Sequence, residues 1–223
     1  MGKPIKTLIN NTEIPAQVKN QELVRKQRGK IVNSSVNLFI KNGYHGTTTR
    51  MIAEASNLSI GSLYDYVSSK EALLYLVCET IHGELEIAVK KALSKINEEE
   101  NKLVEVIRQY FYVCDKMEDH IIMMYHITQF LPKKLQKRVL QKELDIIKIF
   151  ENIISSITIK KKSPEMSNKA LNLICHNIAV LGQMWVFRRW TLQQDYTIEE
   201  YIKYQTELLL TPLVSNVRQI REE

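Results

Sequence analysis

The chain has 223 residues, of which 44% are hydrophobic and 25% charged, with a formal net charge of +6. This composition indicates a folded protein with one large core, or with a small domain attached to a larger one. Because Gly and Pro are scarce and periodic apolar helices run almost end to end, we predict an all-α fold.

No apolar run approaches the roughly 18 residues of a spanning helix, so we expect no membrane association. The N-terminal residues lack the apolar core of a signal peptide, which favours a cytoplasmic location. Cys78, Cys114 and Cys175 are odd in number and widely spaced. We therefore predict buried free thiols rather than a disulfide framework.

Residues 1–27 have little apolar periodicity and contain Lys3, Lys6, Lys19, Arg25 and Lys26. They are interpreted as a basic N-terminal arm or a loosely ordered extra helix. Two roles remain open, a plain disordered tail and an arm that follows DNA phosphates or the minor groove.

Residues 28–75 show the pattern of a helix-turn-helix. Helix 1, at about 29–42, places Ile31, Val32, Ser35, Leu38 and Phe39 on one side, and Gly43 is expected as a left-handed end residue. Helix 2 should begin in the threonine run 47–49, Asn57 should form the turn, and Ser59 should cap helix 3 at 60–66. Such a unit places a helix in the DNA major groove.

The charge distribution agrees with this motif. Residues 1–75 contain ten Lys and Arg against five Asp and Glu, whereas the remaining residues contain 21 against 20. A solvated basic face is common, but an excess that coincides with a DNA-reading motif favours a phosphate partner.

Residues 76–223 are predicted to form a helical effector-binding and dimerisation domain. The predicted helices span about 69–96, 101–117, 120–131, 133–157, 166–190 and 198–219. A charged turn at 98–101, Pro132, a lysine-rich loop at 160–164 and Thr197 are expected to separate or cap them.

The stretch Ile31 to about Leu74 resembles the TetR family of bacterial transcriptional repressors. The resemblance lies in Gly43-Tyr44, in the run from Thr48 to Ala53, in the run from Leu58 to Tyr66 and in Ser69-Lys70-Glu71-Ala72-Leu73. It implies a nine-helix homodimer whose C-terminal domain binds a ligand and controls the spacing of two DNA-reading heads.

The resemblance also implies a set of DNA contacts. Hydroxyls of Thr48 and Thr49 are expected at a phosphate, and the Arg50 fork at guanine. The remaining candidates are Ser59, Ile60, Gly61, Ser62, Tyr64, Asp65, Tyr66 and Lys70. Ile60, Asp65 and Val67 depart from the common pattern, which makes the operator sequence unpredictable. For Tyr64 and Tyr66, packing in the small domain is the alternative.

Two helices show apolar faces that fit a homodimer. The predicted interface comprises Ile174, Ile178, Leu181, Ile202, Gln205, Leu208 and Leu209. Intramolecular core packing is the alternative to a four-helix interface. A twofold dimer would require a palindromic operator.

A small effector is expected to be hydrophobic, with an acyl-CoA or fatty acid first and an aromatic or drug-like compound second. The candidate residues are Tyr110, Met117, Met124, His126, Phe130, Trp185, Arg188 and Arg189. Met and aromatic residues adapt to apolar ligands, and paired arginines bind anions. Core packing, and arginines exposed at a helix end, are the alternatives.

An enzyme is the main competing class. Glu79 and His82 form a single Glu-x-x-His pair, whereas a di-iron bundle needs two, and no phosphate loop or catalytic motif is present. We therefore expect no catalysis, no cofactor and no metal site. A DNA-binding protein without a ligand, one gated by a protein partner, or an activator remains the alternative to a ligand-controlled repressor.

Overall fold

The computed structural model describes residues 16–94, 96, 99–161 and 167–214. These residues form α-helices and a single 3-10 turn, with no strand among them, which confirms the all-α prediction. The helices are α1 (Gln21–Gly46), α2 (Thr49–Ala55), α3 (Ile60–Tyr64), α4 (Lys70–Leu93), α5 (Glu99–Lys116), α6 (Glu118–Ile127), α7 (Lys133–Lys161), α8 (Asn168–Phe187), α9 (Arg189–Leu192) and α10 (Ile198–Val214). The 3-10 turn is Thr128–Phe130.

The described residues pack as two compact units. The first comprises the described residues up to Ile87 together with Lys116–Glu143, and the second comprises Ala88–Asp115 and the described residues from Leu144 onward. The functional division at residues 27 and 75 stays a prediction.

Helix α1 begins earlier than the predicted start near residue 29. Asn20 caps it, because its side-chain oxygen accepts a hydrogen bond of 3.0 Å from the Leu23 backbone N–H. Val24 and Arg28 are both buried, so tertiary contacts stabilise a first turn with little apolar periodicity. Residues 21–27 are therefore helical, and residues 1–15 of the predicted arm lie outside the described residues.

The end of α1 contains a kink at Gly43, where φ is +70° and ψ is 170°. The predicted positive φ is confirmed, but the extended ψ is not that of a left-handed helical end residue. Thr47, which follows the helix, is buried, and its hydroxyl lies 2.8 Å from the Gly43 carbonyl oxygen and 3.1 Å from that of Leu38. This hydroxyl therefore holds the corner between α1 and α2.

Several later boundaries differ from the prediction. Residues 99–101, expected in a charged turn, lie in α5, and α7 continues to Lys161, into the predicted loop. The predicted helix 166–190 is interrupted at Arg188, whose φ of −112° and ψ of 14° separate α8 from α9. The Thr197 cap of α10 is confirmed by reciprocal hydrogen bonds with Glu200.

The first unit has a core of aliphatic and aromatic side chains from α1, α2, α3, α4 and α6. Ile31, Ile52, Leu63 and Leu73 are fully buried there. Cys78 lies in the same unit, and it is a buried free thiol like Cys114 and Cys175, as predicted.

The second unit is organised around an aromatic cluster. The Tyr110 ring lies edge-on to Phe150, with ring centroids 5.7 Å apart, and Phe111 lies 5.9 Å from Tyr201. Gly182 of α8 faces Tyr110 so closely that an added Cβ would be 2.6 Å from that ring. The glycine therefore sets the approach of α8 to α5.

Helix α8 qualifies the expectation of no membrane span. Among the described helices it alone has the length and mean hydropathy of a spanning segment. Of its most apolar 18-residue stretch, 28% is buried within the protein. One such helix is weak evidence, because a helix that packs against protein meets the same criterion.

Candidate DNA-binding surface

Two short helices of the first unit have the capping chemistry expected of a helix-turn-helix. The Thr48 hydroxyl accepts a hydrogen bond from the Met51 backbone N–H at 3.2 Å, and the Ser59 hydroxyl accepts one from Ser62 at 3.0 Å. Asn57, between the helices, has a φ of +57°. These observations confirm the predicted caps and turn.

The outer face of this unit is polar. Thr48, Arg50, Ser59 and Gly61 are exposed, and Ser62 is half-buried. A hydroxyl that caps a helix keeps a lone pair or a proton for an outside partner, and the neighbouring backbone amides of a helix start favour anions. The face therefore offers the groups that bind DNA phosphates and base edges.

Thr49 and Tyr64 join the two helices on that face. Their hydroxyl oxygens lie 3.3 Å apart, and the Tyr64 side chain is 42% exposed. Tyr64 is thus a surface residue and not part of the core, the alternative considered from the sequence. The two hydroxyls therefore lie side by side at the surface, close enough to contact the same phosphate group.

Tyr66 occupies a different environment, which contradicts its prediction as a surface contact. Its side chain is only 7% exposed, and its backbone carbonyl accepts a hydrogen bond of 3.0 Å from Arg28 Nε. Arg28 is itself buried, and burial lowers its pKa, although Glu79 opposes that shift. Arg28 and Tyr66 therefore form an internal link between α1 and the segment that follows α3.

Ile60 and Asp65, two departures from the family pattern, lie at opposite ends of α3. Ile60 is 38% exposed at the start of the helix, where an apolar side chain is available to a thymine methyl group. Asp65 is half-buried at the helix end, and its carbonyl accepts a 2.9 Å hydrogen bond from the Gln17 N–H. The segment that precedes α1 is therefore held against the end of α3.

Lys70 is engaged within the protein. Its Nζ donates a 2.5 Å hydrogen bond to the Tyr44 carbonyl oxygen and lies 4.0 Å above the Tyr44 ring centroid. Burial lowers its pKa, and the neighbouring Glu71 opposes the shift. A lysine ammonium has three donors, so a DNA contact by Lys70 stays a prediction that this bond does not exclude.

Tyr44, which the sequence reading named only as part of the motif, organises an aromatic cluster. Its ring stacks on Phe130 with centroids 4.8 Å apart and planes 13° apart, and His45 contacts the same Phe130 edge-on at 5.0 Å. The Tyr44 hydroxyl donates to Glu71 Oε1 at 3.3 Å. The end of α1, the start of α4 and the 3-10 turn therefore meet at one tyrosine.

The predicted effector residues are divided between the two units. Met117, Met124, His126 and Phe130 belong to the first unit, whereas the predicted residues of α5, α8 and α9 belong to the second. Met117 and Tyr110 are buried in the cores of their own units, as the alternative reading expected. His126 is exposed.

Arg189, predicted with Arg188 as part of an anion site, has partners within the protein, and the anion site stays a prediction. Trp185 Nε1 donates a 2.8 Å hydrogen bond to Asp115 Oδ1, and Arg189 forms an ion pair of 3.2 Å with the same oxygen. Trp185 is buried, so it is not part of the outer surface of the unit. Arg188 is exposed and stays a candidate.

The predicted dimer residues divide by exposure. Ile178 and Ile202 are buried in the subunit, which contradicts their assignment to an interface. Ile174, Leu181, Gln205 and Leu209 are half-buried, and Leu208 is 68% exposed. The exposed apolar side chains of α8 are Leu173, Val180 and Phe187, each seven residues from the next. The predicted stripe on α8 therefore lay about one position away from the exposed face.

No three His, Cys, Asp or Glu side chains come together as a metal site in the described ranges.

Comparison with known proteins agrees with this geometry. Residues 31–76 match the sequence family described as "Bacterial regulatory proteins, tetR family". The chain is 23% identical over 204 residues to the HTH-type transcriptional regulator HbdR of Aromatoleum sp. (strain CIB), which covers 91% of this chain and 87% of that protein.

Solved structures show the same fold. A bacterial regulatory protein in the tetR family from Rhodococcus RHA1 has a TM-score of 0.71 and 21% identity, covering 83% of this chain and 95% of that one. AibR, in complex with isovaleryl coenzyme A and operator DNA, has a TM-score of 0.67 and 15% identity, covering 82% and 97%. Residues 31–76 thus match the tetR family of bacterial regulatory proteins, and the chain shares the fold of these solved regulators.

Proposed function

We infer that this regulator is a repressor that binds a palindromic operator as a homodimer and is released by a small apolar effector. The observation that carries the inference is the exposed α2–α3 face, where Arg50 and the hydroxyls of Thr48, Thr49 and Tyr64 point away from the core. The Arg50 side chain is exposed, so its fork is accessible to a guanine edge.

The homodimer is supported by apolar side chains that the subunit leaves exposed. Leu173, Val180 and Phe187 on α8 and Leu208 on α10 are between 41% and 68% exposed. An exposed apolar stripe of this length is costly in water and is a usual mark of an interface. Two copies of such helices, related by a twofold axis, would bury the stripes against each other.

The effector class is supported by a relative rather than by a pocket. AibR carries isovaleryl coenzyme A in its complex, so an acyl-CoA or fatty acid stands first, with an aromatic or drug-like compound second. Release would follow from a population shift, in which the effector binds better to a conformation whose two heads no longer fit the operator.

The test is operator binding by gel shift, using DNA from beside the protein's own gene or from an unbiased operator selection. We expect Arg50→Ala to weaken binding by about 1–3 kcal/mol and to relax discrimination at one base position. Lys41→Ala, a loss of an exposed charge on α1, is the matched control and should have a smaller effect that does not depend on operator sequence. An Arg50→Ala protein with unchanged affinity and specificity would remove Arg50 from the contacts.

Addition of long-chain acyl-CoA to the same gel shift tests the effector. Loss of the complex would support the lipid class. A complex that persists would keep the repressor and direct the search to aromatic compounds.

A partner-gated regulator or an activator is the second candidate. It is favoured by the engagement of Arg189 by Asp115, because one of the two predicted anion-binding groups already has a partner within the protein. Operator binding that no small molecule alters would favour it.

A further inference from the structure

The first ten residues of α7 form a basic stretch in the same compact unit as α2 and α3. Residues 133–142 contain five Lys and Arg and no Asp or Glu. Lys133, Lys134 and Lys137 are exposed. Because residues three and four apart share one side of a helix, these three lysines lie on one face, which we call the lysine patch.

The lysine patch is unfavourable for the helix that contains it. Lys133 and Lys134 lie in the first turn of α7, where the positive end of the helix dipole repels cations, and that turn contains no acidic residue. For each of the three lysines, the residues three and four positions further on are neutral or basic, so no acidic neighbour offsets the repulsion. An anionic partner outside the chain would compensate for this repulsion.

The start of α7 is fixed to the corner that precedes α2. Phe130 of the 3-10 turn stacks on Tyr44 of that corner, with ring centroids 4.8 Å apart. Gln136 Nε2 donates a hydrogen bond of 3.2 Å to the Thr128 carbonyl oxygen, which attaches the first turn of α7 to the 3-10 turn. The lysine patch is therefore held beside the corner from which α2 begins.

The same corner leads to the groups of α2 that are expected at a phosphate. The rings of His45 and Phe130 lie 5.0 Å apart; Thr48 follows His45 by three residues, and Lys133 follows Phe130 by three. Three residues span at most about 10 Å, so Thr48 and Lys133 both lie close to this ring contact. A duplex on the α2–α3 face extends beyond the base pairs that α3 reads, and its backbone has one negative charge per roughly 1.7 Å of helix axis.

We propose that the lysine patch binds the phosphate backbone of the DNA that flanks each operator half-site. The proposal rests on operator binding by the α2–α3 face, and it adds a contact that does not read bases. An anionic membrane fits the patch less well, because a membrane-bound helix also has an exposed apolar face. Among the large apolar side chains of α7 whose burial is described, only Leu140 is exposed.

Two variants of equal charge test the patch. The triple variant removes it and keeps polar side chains, by the substitutions Lys133→Gln, Lys134→Gln and Lys137→Gln. The matched control removes the same charge from exposed lysines of the second unit, by the substitutions Lys91→Gln, Lys148→Gln and Lys169→Gln. The triple variant should need at least as much urea to unfold as the parent protein, since it loses repulsion. A lower requirement would contradict the account of the patch.

The salt dependence of DNA binding reports the number of phosphate contacts. Each contact contributes about −0.9 to the slope of log K against log[salt]. With at least one contact in each of two heads, the slope of the triple variant should be less steep by about 2 or more. Its affinity at about 0.1 M salt should fall about tenfold or more, equally on operators of different sequence. The control should change the slope by less than about 1.

The length of the DNA tests where the contact lies. On a duplex cut back to the two half-sites, the triple variant and the parent protein should bind equally well, and they should differ once flanking sequence is added at each end. An equal loss on the short duplex, an unchanged slope, or the same change in the control would each overturn the proposal. Lysine-dependent binding to phosphatidylserine vesicles with unaltered DNA binding would instead assign the patch to a membrane.

The repressor function and the lysine patch fail in different ways. A parent protein that selects no operator would remove the repressor function, and the salt slope on unrelated DNA, where phosphate contacts dominate, would still test the patch. A parent protein that binds its operator with the same slope as the triple variant would remove only the patch.

Discussion

Gly61 lies at the exposed start of α3, where the chain itself does not require a glycine. A Cβ built on it would meet Ser59 Oγ at 3.9 Å, an ordinary contact, and its φ is not positive. We therefore expect that Gly61 is a glycine because the α3 backbone approaches DNA closely there.

Substitution of Gly61 by alanine should have opposite effects on stability and on operator binding. Gly61→Ala should raise the free energy of unfolding by up to about 1 kcal/mol, because alanine favours a helix, and should weaken operator binding. Urea unfolding and gel shift measure the two quantities. Gly29→Ala in α1, where nothing lies within 4 Å of the added Cβ, should share the stabilisation and leave binding unchanged. Wild-type operator affinity in Gly61→Ala would contradict a close approach at this position.

The buried side chain of His120 should make the stability of the protein depend on pH. Its side chain is 8% exposed, its Nε2 has no hydrogen-bond partner among the described residues, and burial lowers its pKa to about 4, although Asp119 and Glu84 oppose the shift. The unfolded chain binds this proton near pH 6.5, so it holds more protons than the native state between pH 6.5 and 4.

Stability should therefore be lost as the pH falls through this window, by up to about 3 kcal/mol from His120. Urea unfolding at pH 7.5 and pH 5 should show about 2 kcal/mol of this loss, since pH 5 lies within the window. His120→Gln, which cannot take up the proton, should show a smaller decrease. The assignment to His120 fails if the wild-type protein and the variant lose equal stability.

At the scale of elements, α5 and α8–α9 are joined by a polar contact inside the second unit. Asp115, near the end of α5, accepts from the buried Trp185 N–H and pairs with Arg189. The break at Arg188 separates the two helices, and Arg189 follows it directly. The ion pair thus gives Arg189 a structural role.

Two substitutions of Asp115 should distinguish the contribution of the hydrogen bond to stability from that of the charge. Asp115→Ala leaves the buried indole N–H unpaired and should lower the free energy of unfolding by about 1–3 kcal/mol. Asp115→Asn keeps an acceptor oxygen and should cost less, because the partly exposed ion pair contributes little. Urea unfolding of the two variants decides the point, and an equal loss in both would show that charge dominates.

The corner between α1 and α2 illustrates how an element depends on contacts that sequence spacing does not reveal. Gly43, Tyr44 and Thr47 are recognisable as a motif, but the partners of Tyr44 are Phe130 and Lys70, far along the chain. The caps of α2 and α3, by contrast, join residues three apart in sequence and were predictable from local chemistry.

For the whole molecule, the exposed apolar side chains of α8 allow the proposed dimer to be tested by a single substitution. Val180→Glu places a charge among the exposed apolar side chains of α8 and should convert a dimer to monomers, because an unpaired charge is costly in an apolar interface. Sedimentation equilibrium gives the mass, and gel shift should show weaker operator binding as the second head is lost.

Ile87→Glu is the matched control, since Ile87 is 41% exposed on α4 rather than on α8. It should keep the mass of the parent protein. A dimer that survives Val180→Glu would place the interface elsewhere.

Sequence alone determined the all-α class, the helix-turn-helix with its caps at Thr48 and Ser59, the turn at Asn57 and the resemblance of residues 31–76 to the tetR family. Each depends on interactions between residues a few positions apart, or on a motif that such interactions constrain. The polar α2–α3 face follows from the same pattern.

Tertiary structure alone decided which side chains are accessible. It buried Tyr66 and Ile178, exposed Val180, paired Arg189 with Asp115 and extended α1 to Gln21. A one-position shift in a helix turns a side chain by about 100°, so the buried face of α8 is set by what packs against it. Periodicity marks an apolar helix, but only the partners decide which of its residues remain at the surface.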